Sequence, residues 1–324
     1  MPSAIRFHHT GGPEVLCLEE IEVGAPGPGE VRVRHHAVGL NFIDTYHRSG
    51  LYPLPLPSGI GLEGAGVVEA RGEGVEDFAP GDRVAYAGGP VGAYSAVRNL
   101  PAARLLKLPD ALSFETGAAM MLQGLTTAYL LRRTYRVQPG DAVLIHAAAG
   151  GVGLIACQWA KALGATVIGT VSSEEKADLA RRHGCDHTIL YTREDVAQRV
   201  RAITGGEGVA VAYDGVGKDT FMASIDSLRV RGMLVSFGNA SGPVPAFEPL
   251  LLSQKGSLFF TRPVLAHHTA KREELLDLGG ELFEHVLAGR VKIEVNQRYA
   301  LADAAQAHRD LESRKTTGST ILVP

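Results

Sequence analysis

The most informative stretch of the sequence is a run of small residues at 146–154, which spells His-Ala-Ala-Ala-Gly-Gly-Val-Gly-Leu. It lies between an apolar segment at 142–146, typical of a buried strand, and a segment with helical spacing. Small residues let the backbone turn tightly, and the helix that follows offers N–H groups and a positive dipole end to a pyrophosphate. Against the pattern G-x-G-x-x-G, Ala148 replaces the first glycine, and Gly150 and Gly153 follow. The run therefore predicts a dinucleotide-binding turn; the alternative is a packing turn without a ligand.

The residues after the next strand favour one nicotinamide cofactor over the other. The predicted strand Thr166–Val171 is followed by Ser172 and Ser173 and then by Lys176. A carboxylate at this point bonds the ribose of NAD, and it would repel a 2′-phosphate. Hydroxyls and a lysine suit that phosphate, so we expect NADPH rather than NADH. A compatible alternative is that Ser172 caps the next helix, with Glu175 completing a capping box.

Strands and helices alternate through the middle of the chain. The predicted strands are apolar on both faces, which is typical of a parallel sheet covered by helices on both sides. Residues 257–261, Ser-Leu-Phe-Phe-Thr, have the character of an edge strand. The predicted strands are 142–146, 166–171, 187–191, 209–213 and 233–237, and the predicted helices are 113–136, 151–163, 174–183, 193–203 and 219–228.

The first 110 or so residues have the pattern of an irregular β domain. Apolar residues alternate at Val31, Val33 and Ala37, and turn sequences rich in Gly and Pro recur. Short strands punctuated in this way predict a small barrel or sandwich. The last part of the chain, from about residue 262, is too short to fold alone, so we expect it to rejoin this first domain.

Composition bounds the class of protein. A chain of 324 residues suggests about two domains. The 32 Lys and Arg nearly balance the 35 Asp and Glu, so no strong positive field for nucleic acid is expected. Three cysteines without a CxxC pair make an all-cysteine zinc site or a disulfide framework implausible. The longest apolar stretch, at 142–157, is too short for a membrane span. We expect a soluble, cytoplasmic protein.

Several further segments carry a family resemblance over the whole chain. They are Asn-Phe-Ile-Asp at 41–44 with Tyr46, Arg-Ser-Gly-Leu-Tyr-Pro at 48–53, Gly-Leu-Glu-Gly-Ala-Gly at 61–66, Pro-Gly-Asp-Arg-Val at 80–84, the phosphate loop, and Val-Ser-Phe-Gly at 235–238. With these segments the sequence resembles the zeta-crystallin-like NADPH:quinone oxidoreductases of the medium-chain dehydrogenase/reductase superfamily. The resemblance implies an α/β protein: a GroES-like, β-rich catalytic domain at 1–124 and 263–324, and a doubly wound, parallel-sheet Rossmann domain at 125–262. The active site is then expected in the cleft between them.

The sequence departs from the zinc alcohol dehydrogenases of the same superfamily. Those enzymes place a cysteine ligand where this chain has Asn41 and a histidine ligand where it has Leu62. Their four-cysteine zinc lobe has no counterpart, so we predict no metal site. A quinone is already electrophilic, so its reduction needs positioning and exclusion of water more than a Lewis acid.

The resemblance also implies residue roles. Asn41, Asp44, Tyr46 and Tyr52 are the expected catalytic residues: the first two make polar contacts at the nicotinamide end, and the tyrosines shape the acceptor pocket. Asp44 could instead cap a short helix, and either tyrosine could be packing. The expected cofactor contacts are Phe42, Ile43 and Asp44 near the nicotinamide; Gly150, Gly151 and Val152 at the pyrophosphate; Ser172, Ser173, Lys176 and Tyr191 around the 2′-phosphate; Val216, Gly238, Asn239 and Ser241 at the strand ends; and Tyr129 and Arg314.

The expected activity is zinc-independent, NADPH-dependent reduction of a small-molecule quinone. One alternative is an enoyl or 2-alkenal reductase on the same scaffold, with Tyr46 or Tyr52 as proton donor. Another is a nucleotide-binding protein with a structural or RNA-binding role, which would bind NADPH without turnover. We expect a homodimer and no partnership with a membrane or nucleic acid.

Overall fold

The computed structural model describes residues 1–324, and contacts divide the chain into two compact units. The first unit contains residues 1–125, 269–287 and 293–324, and the second contains 126–268 and 288–292. The functional domain boundaries expected above, with the Rossmann domain at 125–262, stay a prediction.

The chain forms sixteen strands and ten α-helices. The strands are β1 Ser3–Phe7, β2 Cys17–Glu20, β3 Glu30–Leu40, β4 Ser58–Gly59, β5 Glu63–Arg71, β6 Arg83–Ala87, β7 Val97–Pro101, β8 Leu106–Lys107, β9 Ala142–Ile145, β10 Thr166–Val171, β11 His187–Leu190, β12 Val209–Asp214, β13 Leu228–Ser236, β14 Phe259–Thr261, β15 Val295–Ala300 and β16 Ser319–Val323. The helices are α1 Phe42–Ser49, α2 Phe114–Tyr129, α3 Gly151–Ala162, α4 Glu174–Arg182, α5 Val196–Ile203, α6 Phe221–Ser227, α7 Leu250–Gln254, α8 Leu265–His268, α9 Arg272–Leu287 and α10 Ala304–Glu312.

The first unit is built on two sheets. Three strands pair in the order β2-β1-β4, and a larger sheet runs β15-β16-β3-β5-β6-β8, with β7 also on β3. In β3 the alternating side chains of Val31, Val33 and Ala37 are buried, as their spacing predicts. The late strand β16 pairs antiparallel with β3, so the end of the chain rejoins the first unit as expected.

The second unit contains one six-stranded sheet in which every neighbouring pair is parallel. Its order is β11-β10-β9-β12-β13-β14, which is the 3-2-1-4-5-6 order of the Rossmann fold. Leu144, Ile168, Ala212 and Leu234 are buried along its central strands. The predicted doubly wound parallel sheet is confirmed. We call the residues that follow the strands at 146–150, 172–173, 191, 215–217 and 237–241 the carboxyl edge.

Some element boundaries differ from those predicted. The helix expected at 113–136 is α-helical only to Tyr129, after which Leu130–Thr134 form a π turn. Strand β13 begins at Leu228 rather than 233, because Leu228 already pairs with Val209 of β12. A register shift, with Arg231 at a left-handed φ of 60°, separates this pair from the pairing that resumes at Met233. The short helix that Asp44 could cap is present as α1; its bounds do not follow from an apolar pattern, since its buried face carries polar residues.

None of the helices combines the length and the apolar character required to cross a lipid bilayer.

Candidate active site

The first group of expected catalytic residues lies at the start of α1. The backbone N–H of Asn41 donates to Oδ2 of Asp44 at 2.9 Å, which closes a capping box on the helix. Tyr94 donates its hydroxyl proton to the same oxygen at 2.9 Å. Burial raises the pKa of Asp44 to about 7, against the opposing effect of these hydrogen bonds. Asp44 thus has the helix-capping geometry, and its catalytic role stays a prediction.

The side-chain amide of Asn41 is held on both sides. Its Nδ2 donates to Oε2 of Glu63 at 2.6 Å, and its Oδ1 accepts from Nε2 of Gln123 at 3.2 Å. The other oxygen of Glu63 accepts the N–H of Leu122 at 2.8 Å. Burial, with the nearby Asp44 charge as a lesser cause, raises the pKa of Glu63 to about 8. Sequence reasoning did not select Glu63 or Gln123 as site residues, because their partner Asn41 is distant along the chain.

Aromatic side chains extend along α1 and past its end. The rings of Phe42 and Tyr46 lie 6.4 Å apart, and Tyr46 meets Tyr52 edge-to-face at 5.3 Å. His47 packs against Tyr52 at 6.1 Å. Tyr46 is buried and Tyr52 is half-buried. The structure therefore brings the expected acceptor-pocket tyrosines into direct contact, beside the half-buried Ile43 of the same helix.

Helix α1 is held in place by a buried arginine. Arg48 forms a bidentate pair with Glu312 at 2.6 and 3.1 Å, and it donates to Nδ1 of His308 at 3.0 Å. Nε2 of His308 lies 3.2 Å from the hydroxyl of Tyr94, which in turn bonds Asp44. Burial and the neighbouring Arg48 lower the pKa of His308 to about 3, so the ring is neutral. This chain of contacts fixes α1 against α10.

The predicted phosphate loop has the expected form at the carboxyl edge. Gly150 is the N-cap of α3, and no acidic side chain stands in the first turn. A Cβ on Gly153 would lie 2.3 Å from the carbonyl oxygen of Ala147, so only glycine fits there. Ala148 is fully buried, and a Cβ on Gly169 of β10 would come within 2.6 Å of its methyl group. The glycine absent from the loop is thus compensated by a glycine on the neighbouring strand.

The end of β10 differs in one detail from the expected cap. Ser173, rather than Ser172, is the N-cap of α4 and accepts the backbone N–H of Lys176 at 3.4 Å. Lys176 therefore occupies the position that a capping box requires of Glu175, so the predicted box does not form. The strand end at Val171 and the helix start at Glu174 are both as predicted, so Ser173 is the residue that directly precedes the helix and Ser172 lies in the turn. Tyr191, which follows the neighbouring strand β11, is 40% exposed.

The expected contacts at the ends of β12 and β13 lie together. The hydroxyl of Ser241 is 3.0 Å from the carbonyl oxygen of Val216, and it accepts the N–H of Asp219 at 3.0 Å. A Cβ on Gly238 would lie 2.3 Å from the carbonyl oxygen of Gly215, so the two turns touch through backbone. Asn239 lies in the same turn as Gly238.

A buried polar network beneath the carboxyl edge was not anticipated. Nδ1 of His146 lies 3.0 Å from Oγ1 of Thr170, and Nε2 lies 2.9 Å from Oγ of Ser224. Ser224 reaches Oδ2 of Asp214 at 2.7 Å. Spacing could not reveal this set, because its members come from three strands and a helix. The one signal available was a polar residue at or just beyond the end of an apolar strand.

Two further expected cofactor contacts belong to other elements. Tyr129, at the end of α2, stacks on His268 at 4.5 Å in the second unit, and burial raises its pKa. Arg314 follows α10 in the first unit, with a left-handed φ of 60°. Their cofactor roles stay predictions.

The donor set does not suggest a metal centre. No group of three or more His, Cys, Asp or Glu side chains is placed so that it could hold a metal ion. Asn41 and Leu62 stand where the zinc enzymes carry ligands. The amide of Asn41 is hydrogen-bonded to Glu63 and Gln123, and the side chain of Leu62 has no atom that could bind a metal.

Comparisons with known proteins agree with this architecture. Residues 27–110 match the alcohol dehydrogenase GroES-like domain, and residues 151–278 match the zinc-binding dehydrogenase family. A GroES-like, β-rich unit and a Rossmann sheet with a dinucleotide-type loop in one chain define the medium-chain dehydrogenase/reductase class.

Within that class the relatives are specific. A quinone oxidoreductase of Pseudomonas aeruginosa is 58% identical over 100% of both chains. The structure of the Escherichia coli quinone oxidoreductase complexed with NADPH aligns with a TM-score of 0.98 at 51% identity, covering 99% of this chain and 100% of that one. A 2-haloacrylate reductase from a Burkholderia species is 49% identical, covering 100% of this chain and 99% of its own. The chain belongs to the quinone oxidoreductase family.

Proposed function

We propose that this chain is an NADPH-dependent quinone reductase, in which a hydride passes from the cofactor to a quinone. One observation carries the proposal: the carboxyl edge joins a glycine-lined helix start to a strand end whose tip has two serines and no acid. Lys176 follows in the first turn of α4, after Glu174 and Glu175. The relatives named quinone oxidoreductase support the acceptor class. The E. coli structure holding NADPH supports the cofactor.

The residues of the second unit fit NADPH. Gly153 lets the start of α3 pack closely against the backbone of Ala147, and the first turn of α3 presents N–H groups to the pyrophosphate. Ser172, Ser173 and Lys176 provide hydroxyls and a positive charge for the 2′-phosphate. Bound there, NADPH supplies the hydride.

In the first unit, α1 supplies the acceptor side. We propose that Asn41, whose amide is fixed by Glu63 and Gln123, orients the nicotinamide end. Tyr46 and Tyr52, which meet edge-to-face, offer aromatic surface and hydroxyls for the quinone and its oxygens. A quinone that accepts a hydride becomes a hydroquinone anion, and one proton then completes the hydroquinone.

The experiment is to follow NADPH absorbance with 1,4-benzoquinone, an ortho-quinone, a 2-alkenal or no acceptor, with NADH in parallel. We expect quinone-dependent oxidation that prefers NADPH. NADPH binding without turnover on any acceptor would reject the enzyme and favour the nucleotide-binding alternative. RNA binding, if it replaced turnover, would weaken steeply with salt.

A second candidate activity is the reduction of an activated alkene. The 49% identity to a 2-haloacrylate reductase favours it. The reaction needs a proton at the carbon that does not receive the hydride, and Tyr46 or Tyr52 is the available donor. Turnover of the alkene but of no quinone would establish this activity instead of the first.

We also propose a homodimer that pairs through β14. This strand is the edge of the six-stranded sheet, and Phe259 on it is 56% exposed. Sedimentation should give a dimer for the wild type and for Leu18→Lys, a control at another exposed apolar residue. Phe259→Lys should shift the species towards the monomer. A wild-type monomer would reject the proposal.

We further propose that residues 1–124 and 263–324 form the catalytic domain and that residues 125–262 form the NADPH-binding domain. We also propose that the protein resides in the cytoplasm. The small number of cysteines, without a CxxC pair, supports a reducing compartment. Recovery of the native protein in the membrane or secreted fraction of its host would contradict the location.

A further inference from the structure

The buried network beneath the carboxyl edge has no role in the chemistry described above. His146, Thr170, Asp214 and Ser224 are each at most 3% exposed. Buried polar groups are costly unless they are hydrogen-bonded, and these four satisfy one another. Such a chain in an otherwise apolar layer calls for a physical reason beyond packing.

The direction of each hydrogen bond follows from the groups that can only donate or only accept. The N–H groups of Val216 and Gly217 donate to Oδ1 of Asp214 at 2.8 and 3.0 Å. Ser224 donates its single proton to Oδ2 of the same carboxylate, so its oxygen accepts from Nε2–H of His146.

The other ring nitrogen of His146 is then an acceptor. Thr170 donates its hydroxyl proton to Nδ1, and its oxygen accepts the N–H of Ala147 at 3.4 Å. Burial lowers the pKa of His146, which keeps the ring in this neutral, one-donor and one-acceptor form. The network therefore has one arrangement rather than several.

The network joins the strand ends that carry the expected cofactor contacts. His146 is the first residue of the predicted phosphate loop, and Thr170 lies two residues before Ser172. Asp214 holds the turn that contains Val216 and also lies 2.8 Å from the hydroxyl of Thr220 at the start of α6. The ends of three neighbouring strands, β10, β9 and β12, are thus linked by side chains at the carboxyl edge.

We propose that His146 is a positioning residue, which with Thr170 and Ser224 fixes the phosphate loop relative to the 2′-phosphate site and so sets the preference for NADPH over NADH. The inference rests on the proposed use of NADPH. Its physical basis is that hydrogen bonds to a phosphate weaken steeply with distance and angle. A loop and a strand end that move independently cannot hold both phosphate groups at once.

The test compares variants that differ by a single polar group. Thr170→Val and Ser224→Ala remove one link each, and Thr170→Ser restores the hydroxyl. Ser227→Ala is the matched control: Ser227 is also fully buried on α6, but its hydroxyl bonds only Ala223 of its own helix, at 2.6 Å. The dissociation constants of NADPH and NADH are measured by fluorescence titration without quinone, followed by kcat and KM for each variant.

Thr170→Val and Ser224→Ala should weaken NADPH binding about tenfold, with a smaller loss for NADH, since the phosphate site is the part displaced. KM for NADPH should rise while kcat at saturating NADPH and KM for the quinone stay near wild type. Thr170→Ser and Ser227→Ala should bind as the wild type does. If the network has only a structural role, these substitutions should lower the melting temperature and weaken the binding of NADPH and NADH equally.

The proposal is overturned if Ser224→Ala and Ser227→Ala behave alike, or if the NADPH and NADH losses are equal. If the wild type binds NADPH but reduces no quinone, the proposed function is rejected. The binding measurements, which use no quinone, then still decide whether the network sets the cofactor preference. A wild type that binds no NADPH overturns both.

Discussion

At the scale of single residues, two carboxyl groups are buried near the start of α1. Asp44 and Glu63 are both fully buried, and both contact Asn41, one through its backbone N–H and the other through its amide. Burial raises the pKa of both carboxyls, to about 7 and about 8. Their protonation therefore changes within the range of pH in which the protein would work.

The raised pKa of Asp44 has a consequence for stability. A carboxyl whose pKa rises on folding, here from 3.8 to about 7, contributes stability at low pH that is lost as the pH rises towards 7. In Asp44→Asn the amide oxygen can accept from Asn41 and Tyr94, and the amide nitrogen takes the place of Oδ1, which has no partner. The melting temperature of Asp44→Asn should therefore fall less than that of the wild type between pH 5 and pH 8.

Asp82 provides the matched control for this measurement. It also caps a turn, accepting the N–H of Ala79 at 3.0 Å, but that bond lowers the pKa of Asp82. Its contribution is lost only on acidification, so Asp82→Asn should keep the wild-type slope between pH 5 and pH 8. Identical slopes for wild type and Asp44→Asn would show that Asp44 does not titrate in this window.

The end of β10 permits a direct test of cofactor choice. Ser172→Asp places a carboxylate where the 2′-phosphate is expected, so KM for NADPH should rise about tenfold or more, while KM for NADH stays level or falls. Steady-state kinetics with both cofactors provide the measurement. Ser253→Asp, which adds the same charge at an exposed position of α7, should change neither value. An unchanged KM for NADPH in Ser172→Asp would mean that the 2′-phosphate of NADPH does not bind near Ser172.

At the scale of elements, adjacent glycines in α9 have opposite surroundings. A Cβ on Gly279 would lie 2.7 Å from Cδ2 of Leu106, a buried residue of β8. A Cβ on Gly280 would meet nothing within 4 Å. The first glycine permits a close approach between a helix and a strand, and the second only weakens the helix.

This difference predicts opposite effects of one substitution. Gly279→Ala should lower the free energy of unfolding by about 1–3 kcal/mol, because Leu106 must move. Gly280→Ala should raise it by about 0.5–1 kcal/mol, because alanine favours the helix. Urea denaturation measures the free energy of unfolding of both variants, and Gly280→Ala serves as the control for helix propensity. A stabilised Gly279→Ala would mean that the side chain of Leu106 yields without cost.

At the scale of the whole molecule, ligand binding should appear as added stability. A ligand that binds only the folded state at about 100 times its dissociation constant adds about 2.7 kcal/mol to the free energy of unfolding. NADPH should therefore raise the melting temperature more than NADH at the same concentration. EDTA should change neither the melting temperature nor turnover, since the chain places no group of metal-binding side chains together. A loss with EDTA that zinc reverses would contradict this assignment.

The sequence by itself determined the features that depend on local pattern. Alternating apolar strands and helices specified the parallel sheet, and the run at 146–154 specified the phosphate loop, because such signals lie within a few neighbouring residues. The helix cap shows the limit of that accuracy: the N-cap is Ser173 rather than Ser172, since both are serines and residue type alone does not distinguish two adjacent capping residues.

Only the tertiary structure decided which distant side chains meet. Asn41 contacts Glu63 and Gln123, Arg48 pairs with Glu312, and His146 joins Thr170 to Ser224. These contacts depend on strand order and on helix packing, which place residues far apart in the chain side by side. The clearest case is Ala148, which replaces the first glycine of the predicted phosphate loop. Its methyl group fits because Gly169 of β10 lies opposite it, and a local sequence pattern cannot show a contact between residues so far apart in the chain.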